Sequence, residues 1–152
     1  MTKPRYFIDQ INIVQTLLGL DFGDKTIGIA VSDKSKTIAT PIITIKRKGI
    51  LKDIEKLLSI LQEYDVGGII LGLPLSLNGS ENERTKKVRK FAQEIIKCKD
   101  IKISFQDERY SSDVIYKELR KNSLSKDKIK KKIDQMAASY ILQGFLDNTK
   151  HT

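Results

Sequence analysis

Residues 18–33 read LGLDFGDKTIGIAVSD, and the arrangement of the remaining chain follows from them. Val, Ile and Leu dominate residues 14–20 and 27–31, with a short polar break between. A break that short joins only antiparallel neighbours. A buried strand over 14–20 therefore ends in Asp21, turns through Gly23 and Asp24, and returns as a strand over 27–31. A carboxylate where an apolar strand runs out is costly unless something compensates its charge. A divalent cation, a phosphate-bound metal or plain solvent would each do so. The question for every later segment is whether it meets Asp21.

Outward from this hairpin, residues 38–45 read as a third strand, in which Pro41 marks an edge or a bulge. Ile50, Ile54, Leu57 and Leu61 recur at helical spacing and predict an amphipathic helix over 50–64. Residues 66–71 are apolar on every side, as in a central parallel strand covered on both faces. The loop 72–79 follows. Ser80 with Glu83 reads as a capping box opening a helix whose buried stripe is Val88, Phe91, Ala92 and Ile95. Residues 101–105 form another strand, ending in Gln106-Asp107-Glu108-Arg109. Ser111 or Ser112 caps a helix over 113–120, and a lysine-rich loop over 122–132 leads into a last helix at about 129–146. Residues 1–13 have no clean period and read as an extra strand or a short helix. The pattern predicts an α/β fold with a mixed five-stranded sheet flanked by helices. Its boundaries are an extension at 1–16 and one domain at 17–148.

The bulk composition narrows the function. The 152 residues suffice for one domain with a sizeable core, and 39% hydrophobic with 31% charged residues is globular composition. Lys and Arg number 28 against 19 Asp and Glu, a net charge of +9 that favours a polyanionic partner, nucleic acid before an acidic membrane surface. No apolar run reaches the roughly 20 residues of a membrane span, and the opening residues lack a signal-peptide pattern. A cytoplasmic protein without a membrane partner is the expectation. Cys98 is the sole cysteine and His151, near the end, the sole histidine. This argues against an internal disulfide, cysteine or histidine zinc sites and Ser-His-Asp chemistry. Carboxylates, hydroxyls, lysines or backbone must do the work.

In an open α/β sheet the functional edge lies at the carboxyl ends of the parallel strands. Asp21, the loop 72–79 and Asp107-Glu108 all fall at such ends. Asp134 precedes Ala137, Ala138 and Ile141 by three, four and seven residues, which puts it inside or at the margin of the last helix's apolar face. Two or three carboxylates without His or Cys make an all-oxygen site suited to Mg²⁺ or Mn²⁺, and such ions serve phosphoryl chemistry. A basic surface beside that site suits a nuclease. The lysine run 126–132, with Lys130 and Lys131, immediately precedes Asp134 and reads either as a solvated face or as a backbone contact flanking the same cleft.

Five ordered blocks resemble the YqgF (RuvX) family of pre-16S rRNA nucleases, or Holliday-junction-resolvase-like proteins, of bacteria. They are residues 18–33 above, GLPLSLNGS at 72–80, FAQEI at 91–95, QDERYSS at 106–112 and DQMAASYILQGFL at 134–146. The resemblance implies a ribonuclease H-like fold. It also implies a metal-dependent endonuclease that processes the 5′ end of precursor 16S rRNA, acting on that RNA or on the pre-ribosomal particle. Asp21, Glu108 and Asp134 are then the catalytic, metal-binding acids, with Asp107 a close alternative to Glu108. Arg109 is a phosphate contact, and Ser80 approaches a phosphate at the following helix's N-terminus. The alternatives are a resolvase of four-way DNA junctions, which normally works as a homodimer, and a non-catalytic nucleic-acid binder. Thr26 stands where the family commonly has Arg, Asn78 where it commonly has Asp, and the segment before Leu17 is longer than usual.

Overall fold

A computed structural model of the chain describes residues 3–108, 119–121 and 125–149, apart from the side chain of Asp134. Strands β1 (Thr16–Phe22), β2 (Thr26–Ser32) and β3 (Ala39–Lys46) form the expected meander, and β4 (Val66–Leu73) and β5 (Lys102–Asp107) complete one sheet. The order is β3-β2-β1-β4-β5. β1 pairs antiparallel with β2, β2 antiparallel with β3, and β4 parallel with both β1 and β5. This mixed sheet with helices on both faces is the ribonuclease H-like arrangement.

Several boundaries move. β1 begins two residues later than the apolar run suggests and carries Asp21 inside the strand, because Val14 is exposed and Thr16 is buried. Pro41 sits both on the edge strand and at the register shift opposite Ile29 and Ala30. The last helix starts at Lys126, not near 129: Ser125 accepts the Lys128 N–H at 3.4 Å, so the lysine run is helix and not loop. The predicted helix over 113–120 and its caps Ser111 and Ser112 lie outside the described residues, except 119–120.

Two helices, α2 (Ile50–Glu63) and α3 (Glu83–Cys98), cover one face of the sheet. Ile54, Leu57 and Leu61 of α2 and Val88, Phe91, Ala92 and Ile95 of α3 bury against Leu18, Leu20, Ile69 and Leu71. The other face takes α4 (Lys126–Asn148) and the short N-terminal α1 (Pro4–Asp9). Ala138, Ile141, Leu142, Phe145 and Leu146 of α4 join Phe7 and Ile11 over Leu17, Ala30 and Ile70. Each buried Leu, Ile or Phe contributes about 1.5–3 kcal/mol relative to exposure. α4 comes unusually close to the sheet: a Cβ on Gly19 would lie 2.6 Å from Leu142 Cβ and 2.9 Å from the Ala138 carbonyl. Only glycine allows that contact.

Candidate functional site

Alternation along β1 sends Leu17, Gly19 and Asp21 to the α4 side. The register pairs Leu20 with Leu71 and Gly72 with Gln106, so Asp21 is level with Gly72 at the carboxyl end of the parallel strands. Glu108 comes to the same place from β5, its N–H donating to the Leu73 carbonyl at 3.3 Å. A Cβ on Gly72 would stand 2.9 Å from Glu108 Oε2 and 2.5 Å from Ile141 Cδ1. Gly72 thus leaves the space that Glu108 occupies between β4 and α4.

The Glu108 carboxyl is raised from 4.5 to about 7. Burial is the largest cause and the charge of Asp21 the next; Arg84 opposes them, and Asp107 adds a smaller upward push. A carboxylate that meets a second carboxylate in a half-buried niche is the setting in which a cation is gained most favourably. Asp107 was the close alternative to Glu108. Alternation on β5 sends it to the opposite face, with Phe105.

α4 runs back along β1. Phe145 meets Phe7 edge-on at 5.7 Å, beside the start of β4, where Phe7 lies close over Gly68. Ala138 and Leu142 lie against Gly19. The helix backbone therefore carries position 134 one turn further toward the Asp21 end, by about 6 Å. The side chain of Asp134, and Arg109 entirely, lie outside the described residues. Among the described residues no three Asp, Glu, His or Cys side chains come together as a metal cluster; the pair Asp21 and Glu108 is what the described chain assembles.

The capping box at Ser80 and Glu83 is not formed. Asn82 is the N-cap of α3, accepting the Arg84 and Thr85 N–H groups, while Thr85 Oγ1 accepts the Asn82 N–H at 2.8 Å. Ser80 instead donates to Asn78 Oδ1 at 2.6 Å, in a turn two residues before the cap. Asn wins because its amide also donates backwards, to the Pro74 carbonyl at 3.0 Å and Ser76 Oγ at 2.9 Å. The true cap reveals a residue the sequence reading missed. Arg84, exposed in the first turn of α3, is the cation nearest in effect to Glu108. Its signal was the cap itself, which places position 84 beside the end of β4. Of the lysine run, Lys128, Lys131 and Lys132 line a shallow groove of about 280 Å³ with Gln135; Lys130 is exposed outside it.

Behind the turn that follows Asp21, Arg47 acts as a clasp. Its Nε meets Asp53 Oδ2 at 3.1 Å, its Nη1 donates to the Gly23 carbonyl at 3.3 Å, and its guanidinium lies 4.4 Å over the Phe22 ring. Phe22 in turn stacks on Phe91 at 4.2 Å. The turn is thereby tied to β3, α2 and α3 together.

A family model described as RuvX, Holliday junction resolvase, matches residues 15–148. The chain belongs to the RuvX family. Among its RuvX relatives, a protein of Paramagnetospirillum magneticum named "Putative pre-16S rRNA nuclease" is 43% identical over 145 residues, covering 95% of this chain and 94% of that one. A relative of the same name from a Ruegeria species is 45% identical over 135 residues, covering 89% and 86%. Among solved structures, Thermus thermophilus RuvC in complex with a Holliday junction aligns over 90% of this chain and 92% of that one, at 10% identity and a TM-score of 0.49.

Proposed function

We propose that this chain is a divalent-metal-dependent endonuclease that processes the 5′ end of precursor 16S rRNA. The observation that carries the reading is the meeting of Asp21 and Glu108 over Gly72, with Glu108 raised to about 7. Family membership and the name of the relatives support the same reading.

Asp21 and Glu108 would hold Mg²⁺ or Mn²⁺, with Asp134 as a third oxygen ligand; two close carboxylates of an all-oxygen set fit such a cation. A bound cation supplies Lewis acidity at the phosphodiester and a lowered pKa for water. The chain's own residues do the rest. Arg84 reaches the edge of the site and holds a phosphate oxygen. Arg109 and Ser80 add contacts to the neighbouring backbone. Lys130 and Lys131, with Lys128 and Lys132, grip the strand on the α4 side. Gly72 keeps the niche open, and the Arg47 clasp fixes the turn beside Asp21. The substrate calls for a cytoplasmic location; among the described residues no helix is long and apolar enough to cross a membrane.

Single-turnover cleavage by the purified protein of precursor 16S leader RNA and of a four-way DNA junction tests the proposal. Each substrate is run with Mg²⁺, with Mn²⁺, with chelator, and with Asp21→Asn. Metal-dependent cutting of the RNA, abolished in a folded Asp21→Asn, is the expected result. Symmetric cutting of the junction would make the chain a resolvase, the activity the family description names, and would call for a homodimer. An uncut pair of substrates, or full activity in Asp21→Asn, would overturn the site assignment.

A further inference from the structure

A groove of about 610 Å³ lies between the end of β3 and the first turns of α2, on the far side of the sheet from α4. Lys46, Lys48, Lys52 and Lys56 line it, together with Asp53 and Glu55. We infer that this groove binds the phosphate backbone of the substrate arm beyond the cleaved site, a deepening that rests on the nuclease reading.

Charge carries the argument first. All four lysines are exposed, and among the described residues none has a carboxylate within 4.0 Å. Three of the four lysines on α3 differ: Lys86, Lys87 and Lys97 each pair with an acid. Asp53 cannot neutralise the groove, because it is 2% exposed and held by Arg47 at 3.1 Å and by the Lys48 N–H at 2.9 Å. Glu55 is then the one acid facing four cations. Lys52 and Lys56 are neighbours at i and i+4, where like charges repel. A polyanion removes that repulsion and releases its own counterions.

Position comes second. Thr26 pairs with Lys46, and the Arg47 N–H donates to the Lys25 carbonyl at 2.9 Å. The groove therefore begins at the turn that follows Asp21, with exposed Lys25 continuing the row toward the site. The lysine groove on α4 shares Gln135 with a cleft lined by residues 41–44 of β3, so it flanks the same edge strand from the opposite face. A strand crossing Asp21 and Glu108 would be held on both sides. Chemistry sets the binding mode: among the described residues no aromatic side chain lines the groove, so it grips backbone without stacking on bases.

The test uses Lys52→Ala/Lys56→Ala, with Lys97→Ala/Lys99→Ala at the far end of α3 as a control of equal charge. All are made in the Asp21→Asn chain so that the probe survives. Fluorescence anisotropy measures binding of a short and a long labelled RNA duplex over a series of KCl concentrations. The groove variant is expected to lose affinity for the long duplex, with a salt slope shallower by about 2. Affinity for the short one stays unchanged, and Lys52→Arg/Lys56→Arg restores the parent slope. An unchanged slope in the groove variant, or an equal loss in the control, overturns the inference while the nuclease reading stands. A parent that binds neither duplex would bring down both.

Discussion

At the scale of single residues, the site depends on one absent side chain and one displaced proton. Gly72 is needed because a methyl group there would meet Glu108 and Ile141 at 2.9 and 2.5 Å. Both contacts are the ends of flexible side chains, so Gly72→Ala should still fold, at a cost of about 1–3 kcal/mol, while pushing Glu108 out of place. A cleavage rate in Gly72→Ala as high as in the parent would remove Glu108 from the mechanism. Glu108 also sets a stability signature. Its folded value of about 7 lies above the ordinary 4.5, so the native state holds this proton more tightly than the unfolded chain does. The stabilisation is full below about 4.5 and is lost as pH rises through about 7, a span worth about 3 kcal/mol. Glu108→Gln should flatten that part of the pH–stability curve, as read by urea melts without metal. A divalent cation should raise the parent's Tm above that pH by mass action and leave Asp21→Asn nearly unmoved.

At the scale of elements, two small devices decide whether the loop and turn around the site hold their shape. Asn82 caps α3 and ties back the loop through Pro74 and Ser76. Asn82→Ala should cost about 1–2 kcal/mol, lowering Tm by roughly 3–6 °C, whereas Ser80→Ala should change it little. Calorimetry separates the two, and the reverse order would restore Ser80 as the cap. Arg47 closes the turn after Asp21. Arg47→Ala strands the buried carboxylate of Asp53 and should cost about 3 kcal/mol in a denaturant titration. A near-neutral result would mean that the clasp is a surface ion pair in effect.

At the scale of the whole molecule, the sheet is buried by two different layers, and the N-terminal extension belongs to one of them. Phe7 is 4% exposed, meets Phe145 edge-on and covers Gly68. Phe7→Ala should therefore destabilise the chain by about 3 kcal/mol, seen as a fall in Tm. An unaltered Tm would make residues 1–16 an appendage. The expected halves of this architecture were legible in different degrees. The alternation and apolar runs of 16–32 and 66–73, and the helical stripes Ile54-Leu57-Leu61 and Val88-Phe91-Ala92-Ile95, are local patterns, and each is buried as its period requires. The N-terminal segment was legible only as a strand or a short helix, and it is the helix, because Phe7 and Ile11 are too few to set a period and find their cover only on β4 and α4.

By itself, the sequence determined the strand–turn–strand start and the mixed sheet, and it singled out Asp21 and Glu108 as candidate acids. These follow from residue type and from spacings of a few positions, which short-range physics constrains. Tertiary structure alone separated Glu108, which stands over Gly72 on the α4 side, from Asp107 on the opposite face, because strand alternation and register choose the face on which each acid stands. It also moved the cap from Ser80 to Asn82, since the winning side chain is the one with partners on Pro74 and Ser76. Arg84 and the lysine groove beside α2 emerged only there, because electrostatic neighbours are set by distance in space and not by distance along the chain.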